Sequence, residues 1–237
     1  MQKTILDIVK TVSAEFNLPV PTSVISSQDA SVLKILALVR ATCDDLVAEY
    51  DWQQLQTAYS FTTTAGIANY SLPVDVQRFT NLSFFDQSNR WKMNGPISAT
   101  GWGSLKVSPS SGPFERFRIF NNQLYLTPTP GTSPYTFNYE YVSNSYVRDG
   151  SSGLLKQDFS QDSDVCLFDH RVVVYGAKYK WLGSIGSDNS NALSEFNRAL
   201  EFSKGGNMPS GKLNLGGPAD DYRFISNANF ADGSWVV

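Results

Sequence analysis

The stretch Asp51-Trp52-Gln53-Gln54-Leu55, running on through Phe61-Thr62-Thr63-Thr64-Ala65-Gly66 to Tyr70-Ser71-Leu72-Pro73-Val74-Asp75, is where this sequence changes its periodicity. Upstream, apolar residues recur at helical spacing. Downstream, Tyr59, Phe61 and Thr63 alternate with Ser60, Thr62 and Thr64, the period of two that a strand imposes. Ala65-Gly66 supplies a turn, and Asn69 to Pro73 reads as a short partner strand ended by proline. Trp52 marks the hand-over from a helical part to a β part.

Working outward to the N-terminus, Ile5, Ile8, Val9, Val12 and Phe16 share one face of an expected helix over Thr4 to Phe16. Pro19 and Pro21 end it, because each removes a backbone donor and biases its predecessor towards extended conformations. A second, longer helix opens at Ser27 or Asp29 and aligns Val32, Ile35, Leu36, Val39, Cys43, Leu46, Val47 and Tyr50. The two are expected to lie antiparallel.

On the other side, Arg78 to Phe85 reads as a strand closed by the turn Asp86 to Asn89, with Trp91-Lys92-Met93 as the next arm. Asn94 to Gly112 is rich in glycine and proline and reads as an irregular or partly helical connection. Phe114 to Phe120 and Gln123 to Thr127 form a hairpin through Asn121-Asn122, a step that tolerates positive φ. Tyr135, Phe137, Tyr139 and Tyr141 line one face of the clearest strand, and Arg148 to Gly153 is a polar exit. A third helix, capped by Asp162, Ser163 or Asp164, aligns Val165, Phe168, Val172, Tyr175, Ala177, Tyr179 and Leu182. A last one opens at Asp188 or Ser190, points Leu193, Phe196, Ala199, Leu200 and Phe202 inward, and stops at Gly205-Gly206.

The expected fold is therefore α+β. Residues 1–51 and 155–206 form a four-helix bundle, 52–154 an inserted antiparallel β domain, and 207–237 an extended C-terminal arm whose aromatic residues need a surface to dock on. Trp52, Phe61, Tyr70 and Pro73 are the expected domain-junction residues.

Composition removes several classes of function. With 41% hydrophobic and 17% charged residues, disorder across the whole chain is excluded. A net charge of -3 without a basic block lacks the electrostatic footprint of a protein that grips nucleic acid. No apolar run reaches membrane-spanning length, and Lys3 and Asp7 interrupt any signal-peptide core, so a cytoplasm-like compartment and no membrane partner are expected. Cys43 and Cys166 sit in apolar, helical-looking contexts and read as reduced, structural thiols.

Chemistry-bearing constellations are missing as well. His170, the only histidine, has no second ligand or triad partner in its pattern. Gly101-Trp102-Gly103 lacks the third glycine of a dinucleotide loop, and Gly183 to Gly186 lacks the Lys-Ser/Thr of a phosphate loop; both read as turns. Asp44 and Asp45 diverge by about 100° on a helix and read as a solvated face, while Asp220-Asp221 lies in the arm. Arg116 and Arg118 read as the solvent side of a strand. No catalytic residue, metal site or cofactor is expected.

Asp51, Trp52, Phe61, Thr64, Ala65, Gly66, Tyr70, Leu72, Pro73, Asp75 and Arg78, in this order after a long second helix, resemble the head-to-tail adaptor (connector) proteins of tailed phages. The likeness is to the tail tubular protein A or gatekeeper-like group of short-tailed phages, and it extends to the layout of the whole chain. It implies a virion protein of the neck, assembled in the host cytoplasm as a homo-oligomeric ring of twelve copies. Its partners are then the portal protein and a tail nozzle or tail tube protein, with genomic DNA passing through the lumen unbound. It also implies that the arm, through Tyr222, Phe224, Ile225, Phe230 and Trp235, grips the portal. The alternative from another class is a phage tail component that binds or hydrolyses glycans, which needs two acids facing across a cleft.

Overall fold

The computed structural model describes residues 2–80, 82–107 and 115–207. Helix α1 (Ile5–Glu15) starts at Thr4, whose hydroxyl accepts from the Asp7 amide and donates to the Asp7 carboxylate. Helix α2 (Ala30–Glu49) starts at Asp29, whose carboxylate accepts from the Ser31 amide at 2.8 Å. Both bury the apolar stripe that their spacing predicts.

Strands β1 (Gln56–Thr62), β2 (Asn69–Ser71), β3 (Val76–Phe79), β4 (Phe85–Asp86) and β5 (Trp91–Lys92) follow, then helix α3 (Ala99–Val107). Next come β6 (Arg116–Phe120), β7 (Gln123–Thr127), β8 (Thr136–Ser143), β9 (Val147–Arg148), β10 (Leu155–Lys156) and β11 (Val165–Cys166). Helices α4 (His170–Ser184) and α5 (Ser190–Asn207) close the described chain. The protein is α+β, and its named strands pair antiparallel in three sheets.

Strand β8 organises the largest sheet. One edge pairs with β1 along its length, from Gln56↔Val142 to Thr62↔Thr136; the other is shared between β3 and β4. The alternation predicted for Tyr135, Phe137, Tyr139 and Tyr141 holds, and all four are buried. Opposite them Tyr59 and Phe61 of β1 meet Tyr139 and Phe137 with ring centroids 5.5 and 5.3 Å apart. The β6–β7 hairpin turns at Asn121 and Asn122 with φ of 49° and 55°, the left-handed pair that a two-residue hairpin needs. Phe84 is stacked between Phe117 of the hairpin sheet, at 4.2 Å, and Tyr139 of the large sheet, at 5.0 Å, so one ring joins the two sheets.

The interior divides into two clusters. The first is aliphatic and spans α1, α2, α4 and the small β9–β11 sheet, taking in Trp52, Leu55, Val142, Tyr146, Val147 and Phe159. The second is built on rings from β1 to β8. Helix α4 packs on α1, α2 and α5. Gly176 lets it approach α2, since a Cβ there meets Thr42 Cγ2 at 2.4 Å.

Several expectations are corrected. The third helix begins at His170 with Asp169 as its cap, not near Ser163; Val165 and Cys166 lie on a strand and Phe168 precedes the helix. Strand β2 pairs with β7 rather than with β1. The Arg78 to Phe85 run splits into β3 and β4, with Leu82 at a φ of 63° between them. Gly101-Trp102-Gly103 lies inside α3, a fifth helix within the β part, and Gly205-Gly206 inside α5. Phe202 points outward, 82% exposed.

Candidate interaction surfaces

At the hand-over between the two clusters, Trp52 is buried and its indole N–H donates to the Leu46 carbonyl at 2.6 Å, near the end of α2. Its ring meets Tyr50 and Phe168 edge-on. Arg78, reaching back from β3, ion-pairs with Asp51 and donates to the carbonyls of Val47 at 2.8 Å, Ala48 and Tyr50. Those carbonyls belong to the last turn of α2 and the residue after it, where helical acceptors lack intrahelical donors and a cation is favoured. One side chain of the β part thus caps a helix of the other part.

A second brace lies in residues 149–164. Asp164 is fully buried and accepts from the amides of Gly150, Ser160 and Gln161 and from Lys156 Nζ. Burial alone raises its pKa, but Lys156 and the three amides outweigh it and hold the carboxyl below its usual range. Asp162 accepts from the Ser23 hydroxyl and the amides of Val24 and Ile25, and is likewise held low against burial. The two aspartates expected as helix caps instead tie down the loops before α2 and before β11. Arg40 of α2 adds an ion pair to Asp158 and a hydrogen bond to the Phe159 carbonyl.

The surface carries a groove of about 1070 Å³ between α4 and α5. Tyr175, Ala199 and Phe202 form its apolar part, with His170, Arg171 and Arg198 around them. Ala192 and Leu200 are the buried residues of α5; Phe202 and Leu193 are exposed and, nine positions apart, lie on opposite sides of the helix, with Phe202 alone facing the groove. Among the described residues no group of three or more His, Cys, Asp or Glu could hold a metal ion. None of the described helices is long and apolar enough to cross a membrane. Asp44 and Asp45 are exposed, as predicted, and Asp45 pairs with Lys180 of α4.

Of the expected junction residues, Trp52 belongs to the aliphatic cluster, whereas Phe61 and Tyr70 pack together in the ring cluster at 4.6 Å. The Tyr70 hydroxyl accepts from the Thr64 amide and donates to the Ile67 carbonyl, closing the β1–β2 turn. Pro73 is half-buried beside Asp75, whose carboxylate accepts from the Tyr141 and Ser143 hydroxyls. The structure does not bring these four together. Tyr222, Phe224, Ile225, Phe230, Trp235 and Asp220-Asp221 lie outside the described residues. Sequence reasoning assigned no capping role to Arg78; nothing local tells an arginine on a strand which helix end it will meet.

Polar contacts thus brace the two cores and their loops, and α5 keeps the Phe202 ring exposed. The model of the SU10 adaptor protein family matches residues 3–206, which takes in both cores, and the chain belongs to that family. It is a phage head-to-tail adaptor, a component of the virion neck that works with portal and tail proteins. The match is to this adaptor family and does not single out the tail tubular protein A group. None of the curated proteins matches the chain.

Proposed function

We propose that the chain forms a closed ring of twelve copies between portal and tail, through which DNA passes without being held. The observation that carries this reading is the family match across residues 3–206. A head-to-tail contact that closes generates such a ring. Helices α1, α2, α4 and α5 act as a four-helix bundle that packs side to side, and the exposed Phe202 ring beside the groove between α4 and α5 supports a lateral contact there. Residues 52–154 act as an inserted β domain whose loops face the tail nozzle or tube, and the arm from 207 onward grips the portal through Tyr222, Phe224, Ile225, Phe230 and Trp235. A net charge of -3 suits a lumen that must not retain DNA. Contact, not catalysis, is the work assigned to it, and no observation on the described residues favours the glycan-active alternative.

Imaging the purified protein with and without its portal tests the ring: rings seated on the portal are expected. A folded chain that never associates with the portal overturns the assignment. Truncation after Asn207 tests the arm separately, with loss of portal attachment expected while the circular dichroism spectrum is kept. A truncated chain that binds the portal normally removes the arm from the interface.

A further inference from the structure

Cys43, in the middle of α2, and Cys166, on β11, are 123 residues apart in sequence, yet their sulfurs are 3.8 Å apart. Both thiols are free and fully buried within the aliphatic cluster. A disulfide holds its sulfurs at about 2.05 Å, so a shift of under about 2 Å, shared between a helix side chain and a two-residue strand, brings them to bonding distance. Tyr146 and Phe168 of the same cluster stack on one another, and the sequence holds no third cysteine to compete.

We propose that Cys43 and Cys166 are a latent oxidation site, converted to an intramolecular disulfide by a peroxide once the protein has left a reducing cytoplasm. Virion surfaces are among the settings in which disulfides persist. In the first step the thiolate of one cysteine attacks the peroxide O–O bond; an S–O bond forms, the O–O bond breaks, and hydroxide leaves. In the second, the other thiolate attacks the sulfenic sulfur, the S–S bond forms, the S–O bond breaks, and a second hydroxide leaves. The two thiol protons complete two waters, the two sulfurs together lose two electrons, and the peroxide gains them. Burial pushes the Cys43 thiol up, with the neighbouring Cys166 adding to the effect, so thiolate is scarce and the reaction is slow. The bond would close a covalent loop around everything from Cys43 to Cys166, β1 to β8 included. It would fasten α2 to β11, next to the loop that Asp164 organises.

The test uses the full chain under native conditions and does not involve a portal, so it stands or falls apart from the adaptor assignment. Hydrogen peroxide is added over hours, and free thiols, intact mass and cross-linked peptides are followed. The expected result is a fall from two free thiols per chain to none, a mass loss of two hydrogens, and a peptide joining residues 43 and 166. The unfolding midpoint should shift upward and return on reduction. Cys43→Ala and Cys166→Ala should each leave one free thiol and no intramolecular cross-link; if either fails to fold, the wild-type thiol titre still decides. Two persistent thiols, or a mass gain from sulfinic acid without an S–S bond, overturns the proposal.

Discussion

Around α2 the buried residues are aliphatic, Val32, Ile35, Val39 and Leu46, and they meet other aliphatics on α1 and α4; around β8 they are rings, stacked across strands. The first kind of core is non-directional. Directional contacts are added to it by Asp164, Asp162 and Arg40, which tie the intervening loops to one another and to α2. The second kind is set by register, because each ring must face its partner across β1 and β8, and a slip of one residue turns every ring to the other face. The helical part therefore depends on polar braces, whereas the β part depends on strand pairing. Their carboxylates differ in the same way. Asp164 is surrounded by donors, while Glu115 Oε2 in the β part is buried with no well-aligned donor, the Tyr135 hydroxyl being near but poorly placed. Burial outweighs that hydroxyl and, with the Asp86 charge adding, pushes the Glu115 pKa up to about 7.

The strongest challenge to this contrast is Trp52→Ala. It removes a buried indole, its hydrogen bond to Leu46 and its contacts with Tyr50 and Phe168, and should cost about 3–5 kcal/mol in denaturant unfolding. A loss below about 1 kcal/mol would mean that the aliphatic cluster does not need its largest buried ring. Arg78→Ala comes next, at about 1.5–3 kcal/mol for lost charged hydrogen bonds. Because Arg78 links the parts, calorimetry should resolve two transitions in the variant and one in the native chain. A single sharp transition in the variant would show that packing alone couples the cores.

The pH dependence separates the parts by sign. Asp164 and Asp162 have folded-state pKa values below their unfolded ones, so their stabilisation is present above about pH 4 and lost as pH falls through the folded values. Glu115 is raised, so its contribution runs the other way: stability is greatest below the unfolded pKa and declines as pH rises from about 4.5 to about 7. Glu115→Gln should flatten that decline and Asp164→Asn should remove part of the acid-side loss, read as urea midpoints against pH. Identical profiles for both variants would break the distinction. The smallest effect on folding belongs to Phe202→Ser, within about 0.5 kcal/mol because the ring is exposed. The same variant should weaken ring assembly in sedimentation, and unchanged assembly would take α5 out of the contact between copies.

What could be read from the sequence follows from range. Helices α1 and α2, the Asn121-Asn122 hairpin and the ring face of β8 are each decided by residues within a few positions of one another, and each forms as expected. Asp162 and Asp164 look like helix caps because any carboxylate suits a cluster of free amides; only the fold shows that the amides belong to Val24, Ile25, Gly150, Ser160 and Gln161. The partner of β2 was missed for a related reason, since three residues carry too little pattern to choose between β1 and a strand more than fifty positions away. Gly205-Gly206 reads as a stop, yet α5 continues through it, the intrinsic cost of about 1 kcal/mol per glycine being offset by context. The surfaces were the least legible. Phe202 fits the helical apolar stripe, and its exposure depends on where α4 lies.

Strands β1 and β8 begin and end their pairing at Gln56↔Val142, so the chain enters and leaves the ring-built part at adjacent points of one ladder. For an evolving genome this is the geometry of an exchangeable cassette. The segment from 57 to 141 has neighbouring ends, so it can be lengthened, shortened or swapped for a tight hairpin without stretching the helical frame.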